Sequence, residues 1–283
     1  MTEEIHFVTG KGGVGKSVVA ASLALKEARR GRKTLLVELG ERSFYKDFFS
    51  LGREVGYAPV QIAENLDLAL WSGRDSLREY AHHLLKVEAL VKLLFENSVS
   101  RSLIDIAPAL PELAILGKAT SGPRRHGPPA PHQVLIIDAF ATGHFLALLQ
   151  APRGMAEAVR FGPMGEQSRA IEAVLTDPKV TRVHVVSLPE EMPVKESEEL
   201  TEALTTRFGL RPDIILNKTI DLAGVSDRAL NTPHPFAVHM KDVKDRQNEM
   251  RDRLLKTGCP LREAPLILSD DPWALTGKIA EVL

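Results

Sequence analysis

The run Gly10-Lys11-Gly12-Gly13-Val14-Gly15-Lys16-Ser17 carries the spacing G-x-x-x-x-G-K-S, in which side chains and bare backbone can act together on phosphate. The glycines let successive N–H groups turn inward on phosphate oxygens, and the positive end of a following helix adds to the attraction. Lys16 is placed to span the β- and γ-phosphates of a nucleotide, and the Ser17 hydroxyl is a ligand for Mg2+. Gly12, Gly13, Val14, Gly15, Lys16, Ser17 and Val18 together read as the phosphate cradle. A second group lies far downstream, where Asp138 ends the apolar run Val134–Asp138. The carboxyl end of a strand is where open α/β sheets bind ligands, so Asp138 is expected to hold Mg2+ through water. Thr142-Gly143, just beyond, reads as a turn whose N–H groups face the γ-phosphate and respond to its loss, a switch loop. His144 reads as a packed or capping residue rather than a catalytic one.

Such groups need strands that stop together and helices that start behind them. Short apolar runs predict strands at Ile5–Thr9, Thr34–Glu38, Leu66–Trp71, Val134–Asp138, Arg182–Leu188, Ile214–Asn217 and Leu266–Leu268. Several lack polar alternation, as strands covered on both faces do. Helical spacing marks Ser17–Arg30, Ser168–Thr176, Val194–Phe208, Val243–Lys256 and Ala274–Leu283. The alternation gives an α/β fold, a doubly wound and mostly parallel sheet of the P-loop NTPase kind, spanning 1–283 as one ATPase domain. Residues 75–118 carry helical pattern without a strand and read as a helical insertion. Residues 121–132 are rich in Pro and Gly, which predicts a flexible loop without regular structure.

Composition removes several classes of function. Among 283 residues, Lys+Arg 36 against Asp+Glu 37 leaves a net charge of -1, so nucleic acid is not a partner recruited by bulk charge. The single cysteine, Cys259, excludes an intrachain disulfide and any thiolate-built zinc site within one chain. Residues 1–10 have no leader pattern, and no uncharged apolar run nears the roughly 18 residues needed to span a bilayer. Only Lys278 is basic in the segment 273–283, which leaves no case for a stable membrane anchor. A soluble, cytoplasmic protein is expected.

The segment Asp138-Ala139-Phe140-Ala141-Thr142-Gly143-His144 resembles the Asp-Thr-Ala-Pro-Thr-Gly-His motif of the arsenical-pump ATPases and their relatives that target tail-anchored membrane proteins. Leu148-Leu149-Gln150-Ala151-Pro152, Pro111-Glu112-Leu113, Leu188-Pro189-Glu190-Glu191, Asn217-Lys218 and Ala264-Pro265-Leu266 extend the similarity over most of the chain, nearest to the bacterial single-domain members. The resemblance implies ATP and Mg2+ as cofactors and a homodimer, or a heterodimer with a related ATPase, closed by ATP. Lys11 resembles the signature lysine of the deviant Walker A class, which reaches the nucleotide of the opposite subunit. Asn217 falls where the family sets an asparagine against adenine, and Pro265 is a further nucleotide-binding position. Ile220 stands where a guanine reader would need a carboxylate, so ATP is preferred over GTP.

The sequence also departs from that family. The aspartate that aligns the attacking water in the first switch falls on Gly40, leaving Glu38 near the Mg2+ shell and the displaced Glu41 as substitutes. Cys259 alone cannot build the metalloid site of the arsenical pumps, nor the paired-cysteine zinc site of the targeting ATPases. Leu84, Val87, Val91, Leu94 and Phe95 form an apolar stripe that is either a groove for a protein client or a packing face. Two functions follow: a slowly hydrolysing dimeric ATPase, or a weakly hydrolysing or non-hydrolysing nucleotide-binding regulatory subunit paired with an active paralogue.

Overall fold

In the computed structural model of the chain, the described residues are 2–85, 109–128, 131–221, 224–230 and 232–283. The strands are β1 Glu4–Gly10, β2 Thr34–Leu39, β3 Val60–Ala63, β4 Leu66–Trp71, β5 Val134–Ala141, β6 Thr181–Ser187, β7 Asp213–Thr219 and β8 Leu261–Pro265. They form one mostly parallel eight-stranded sheet in the order β3-β4-β2-β5-β1-β6-β7-β8, with β3 antiparallel to β4. The described helices are α1 Lys16–Arg29, α2 Phe44–Phe48, α3 Gly73–Leu85, α4 Leu110–Ala119, α5 Ser121–Arg124, α6 Thr142–Ala158, α7 Pro163–Leu175, α8 Glu191–Phe208, α9 Asp227–Leu230, α10 Pro235–Leu255 and α11 Pro272–Val282. Their contacts separate into two compact units, one of Met1–Phe7 with Glu27–Arg182 and one of Val8–Lys26 with Val183–Leu283.

In the first unit, β2 and β5 are buried along nearly their whole length, as their unbroken apolar runs require. Leu36, Leu68, Leu135, Ile136 and Ile137 are fully covered, and Phe7 meets Phe145 of α6 with ring centroids 5.7 Å apart. Arg32 ties the amino end of this core together by pairing with Glu4 and Glu27, each at 3.0 Å. In the second unit, Ile214 and Leu216 of β7 pack on Val194 of α8 and on Met250 and Leu254 of α10, with Cys259 buried beside them.

Several elements differ from the sequence reading. The last strand is Leu261–Pro265 rather than 266–268, because β7 pairs in register with 261–265, and Leu268 is 89% exposed. The antiparallel edge strand β3 is too short and half-covered to show a period, and Asn65, at φ 57, turns the chain into β4. Helix α6 begins at Thr142, where a turn was expected, and runs through Gly143, Pro152 and Gly154, residues that argue against a helix in isolation. Burial of Phe145, Leu148, Leu149 and Ala151 offsets that weakness. The segment 121–132 is not irregular throughout, since Ser121–Arg124 make a helical turn whose Pro123 sits in the first turn, where no N–H is required. Gly122 lies so close to Thr2 that a Cβ would come within 2.7 Å of its Cβ. Of the expected insertion, α3 and α4 form the two ends and Lys118 pairs with Glu79 across them at 2.9 Å. The rest of the apolar stripe, Val87, Val91, Leu94 and Phe95, lies outside the described residues.

Candidate functional site

Residues 10–17 form a tight loop between β1 and α1 whose shape only glycine permits. Gly13 and Gly15 have φ of 84° and 92°, a region that costs other residues roughly 1–2 kcal/mol. Gly10 lies against the Val186 carbonyl and Gly15 against the Asn217 amide, each so closely that a Cβ would overlap its neighbour. Gly12 and Gly13 are exposed and a Cβ on either would meet nothing within 4 Å, so the outer rim of the loop is open. Val14 is fully buried and anchors the loop from beneath. Helix α1 starts at Lys16, so the N–H groups of its first turn point back into the loop. The Lys16 ammonium donates to the Lys11 carbonyl at 3.0 Å, which draws its charge over the loop. Ser17 and Val18 are half-buried in the same first turn.

Two residues of the second unit respond to this loop in ways the sequence did not reveal. The Asn217 side chain, 3% exposed, donates its amide to the Val14 carbonyl at 2.8 Å, so it braces the phosphate loop. Lys11 forms an ion pair with Glu196 of α8, a partner 185 positions away that no local pattern marks. Pro265 ends β8 and lines a cavity of about 750 Å3 with Thr219, Ile220, Lys244, Gln247 and Glu263.

The first unit carries the acidic groups. Glu38 of β2 and Asp138 of β5 lie opposite one another in parallel register. Glu38 is next to the last residue of its strand, whereas β5 runs on past Asp138 to Ala141, so Asp138 does not end the strand as the sequence predicted. Asp138 is 8% exposed and accepts a hydrogen bond from the Tyr45 hydroxyl at 3.0 Å. Glu38 is committed to the start of α2: its two oxygens accept from the Ser43 hydroxyl and the Phe44 N–H, both at 2.6 Å. Burial pushes the Glu38 carboxyl up from its ordinary value, the nearby Asp138 charge adds to that, and the two hydrogen bonds oppose it. Gly40 donates its N–H to the Trp71 carbonyl at 3.2 Å, and Glu41 is exposed. Tyr45 is the residue sequence reasoning missed, and Ser43, which caps α2 by accepting from Lys46 N–H, was the available signal. Thr142 and Gly143 form the first turn of α6, which has no side-chain cap, so their N–H groups belong to a helix end and not to a loop. His144 is exposed and not packed in the core, with its ring edge-on to Phe140.

Among the described residues no three His, Cys, Asp or Glu side chains gather where a metal could sit, and no helix is long and apolar enough to cross a membrane. A family model described as anion-transporting ATPase matches residues 3–164 and 160–232. The chain is similar to the ATPase BagA of Mycobacterium tuberculosis, 27% identical over 76% of this chain and 65% of that protein. It is also similar to the arsenical pump-driving ATPase of Acidiphilium multivorum, 25% identical over 79% of this chain and 41% of that protein. The chain therefore spans less than two thirds of the length of these relatives.

Proposed function

The chain belongs to the anion-transporting ATPase family, and from that premise we propose that it binds and hydrolyses ATP with Mg2+ as a dimeric switch. The observation that supports this reading most directly is the glycine loop that only an absent Cβ allows, opening onto the first turn of α1. Backbone N–H groups of residues 12–18 would take the phosphate oxygens, and Lys16 would exchange the Lys11 carbonyl for the β- and γ-phosphates. Mg2+ favours hard oxygen donors and keeps several waters, and the Ser17 hydroxyl and the Asp138 carboxylate are each donors of that kind by their chemistry. The ion would offset charge on the phosphates. Asn217 holds the loop in shape for this task, and Pro265 is placed on a cavity wide enough for the base end of a nucleotide.

The dimer reading rests on Lys11. To reach a partner's nucleotide it must leave Glu196, so ATP would close the pair of subunits by offering a stronger anion than that carboxylate. A second reading, a weakly hydrolysing or non-hydrolysing regulatory subunit, is favoured by Gly40 and by Glu38, whose oxygens are taken up by α2. Calorimetry with ATP and Mg2+, followed by steady-state turnover, separates the two. Binding that Lys16→Ala abolishes, with measurable phosphate release, supports the ATPase. Binding without turnover supports the regulatory subunit, and absence of binding refutes both.

A further inference from the structure

Strand β7 contains an irregularity next to the phosphate loop. Lys218 has φ of 58°, and among the described residues it is the sole non-glycine residue inside a strand with a positive φ; the others, Ser50, Asn65, Ala109 and Arg125, sit in turns or at helix ends. It is the extra residue of a bulge, where the register with β8 steps from Asn217 opposite Ala264 to Thr219 opposite Pro265. That conformation is ordinarily left to glycine, so a lysine there is held against its backbone preference.

The bulge aims the side chain. Asn217 points into the loop beneath Val14, and the Lys218 stem follows, its Cε 3.9 Å from where a Cβ on Gly15 would stand. The ammonium lies one bond further on, and the residue is exposed. The other two cations of the loop are engaged, Lys16 by the Lys11 carbonyl and Lys11 by Glu196. The Lys218 ammonium has no hydrogen-bond or ion-pair partner among the described residues. A triphosphate carries more negative charge than Lys16 and one Mg2+ can offset, so a further cation beside Gly15 is matched to that ligand.

We propose that Lys218 is a nucleotide-binding residue, its ammonium contacting the polyphosphate chain from the β7 side of the loop while the bulge at 217–219 holds it there. This inference rests on the ATP-binding reading above. It is tested by calorimetry with ATP and, separately, inorganic tripolyphosphate, using the wild type, Lys218→Met, Lys218→Arg and Lys218→Gly. The methionine variant keeps the stem and loses the charge, and its affinity for both ligands should fall about tenfold, with a shallower dependence on salt. The arginine variant should stay near wild type. The glycine variant should bind as weakly as the methionine one, yet without ligand it should melt about 2 °C higher because the backbone relaxes. Wild-type affinity of Lys218→Met for both ligands overturns the proposal alone. Loss confined to ATP overturns it too, by moving the contact to ribose or base. A glycine variant that melts lower refutes the strain argument, and a wild type that binds neither ligand refutes this inference together with the ATP-binding reading.

Discussion

Replacing Gly15 by alanine tests how the phosphate loop is held. The new methyl would overlap the Asn217 amide nitrogen, at a backbone φ of 92° that alanine adopts only under strain. The backbone penalty is about 1–2 kcal/mol. Displacing Asn217 breaks its 2.8 Å bond to the buried Val14 carbonyl, a further loss of roughly 1–3 kcal/mol. Gly15→Ala should therefore destabilise by about 3.5 kcal/mol, and Asn217→Ala, which loses the same bond without backbone strain, by about 2 kcal/mol. Because both variants break the same bond, the double variant should be little worse than Gly15→Ala, and the two effects should fall short of additivity by about 2 kcal/mol. Urea unfolding monitored by far-UV circular dichroism measures all four proteins. Additivity within about 0.5 kcal/mol would mean that Asn217 does not brace the loop, and the account of the site's shape would be wrong.

Tyr45→Phe should lower stability by about 1.5 kcal/mol, since it removes the hydroxyl that donates to buried Asp138, and an unchanged urea midpoint would refute that bond. Lys118 is buried over the Tyr57 ring at 3.8 Å and beside Glu79, so Lys118→Ala should destabilise by about 2–3 kcal/mol while Lys118→Met, which refills the space, should stay within about 1 kcal/mol of wild type in the same assay. The His6 hydrogen bond, with Arg32 beside it, holds the Glu4 carboxyl down at about 2. The folded chain then binds fewer protons than the unfolded one in acid, so this stabilisation is complete above the usual glutamate range and is lost as pH falls toward about 2. Urea midpoints across that range should decline less steeply for Glu4→Gln than for wild type.

The strand-loop-helix order at residues 4–29 and the parallel strands β2, β4, β5, β6 and β7 were legible in the sequence, although β5 runs past Asp138 to Ala141. Each is written in contiguous residues: apolar runs that must be covered on both faces, glycines at fixed spacing, and a helix pattern directly behind them. The elements that were misplaced are those whose local signal is weak or opposed. Helix α6 overrides a proline and two glycines by burying one face, and β8 is set by pairing with β7 against a more apolar neighbour. Tertiary structure alone decided which groups engage one another: Asn217 with Val14, Lys11 with Glu196, Tyr45 with Asp138, and Glu38 with the start of α2. Those partners are separated by 203, 185 and 93 residues in the first three cases, and residue type specifies only what a side chain can donate or accept. The identity of the partner comes from where the sheet brings distant strand ends and helices together, and no pattern confined to one segment encodes that.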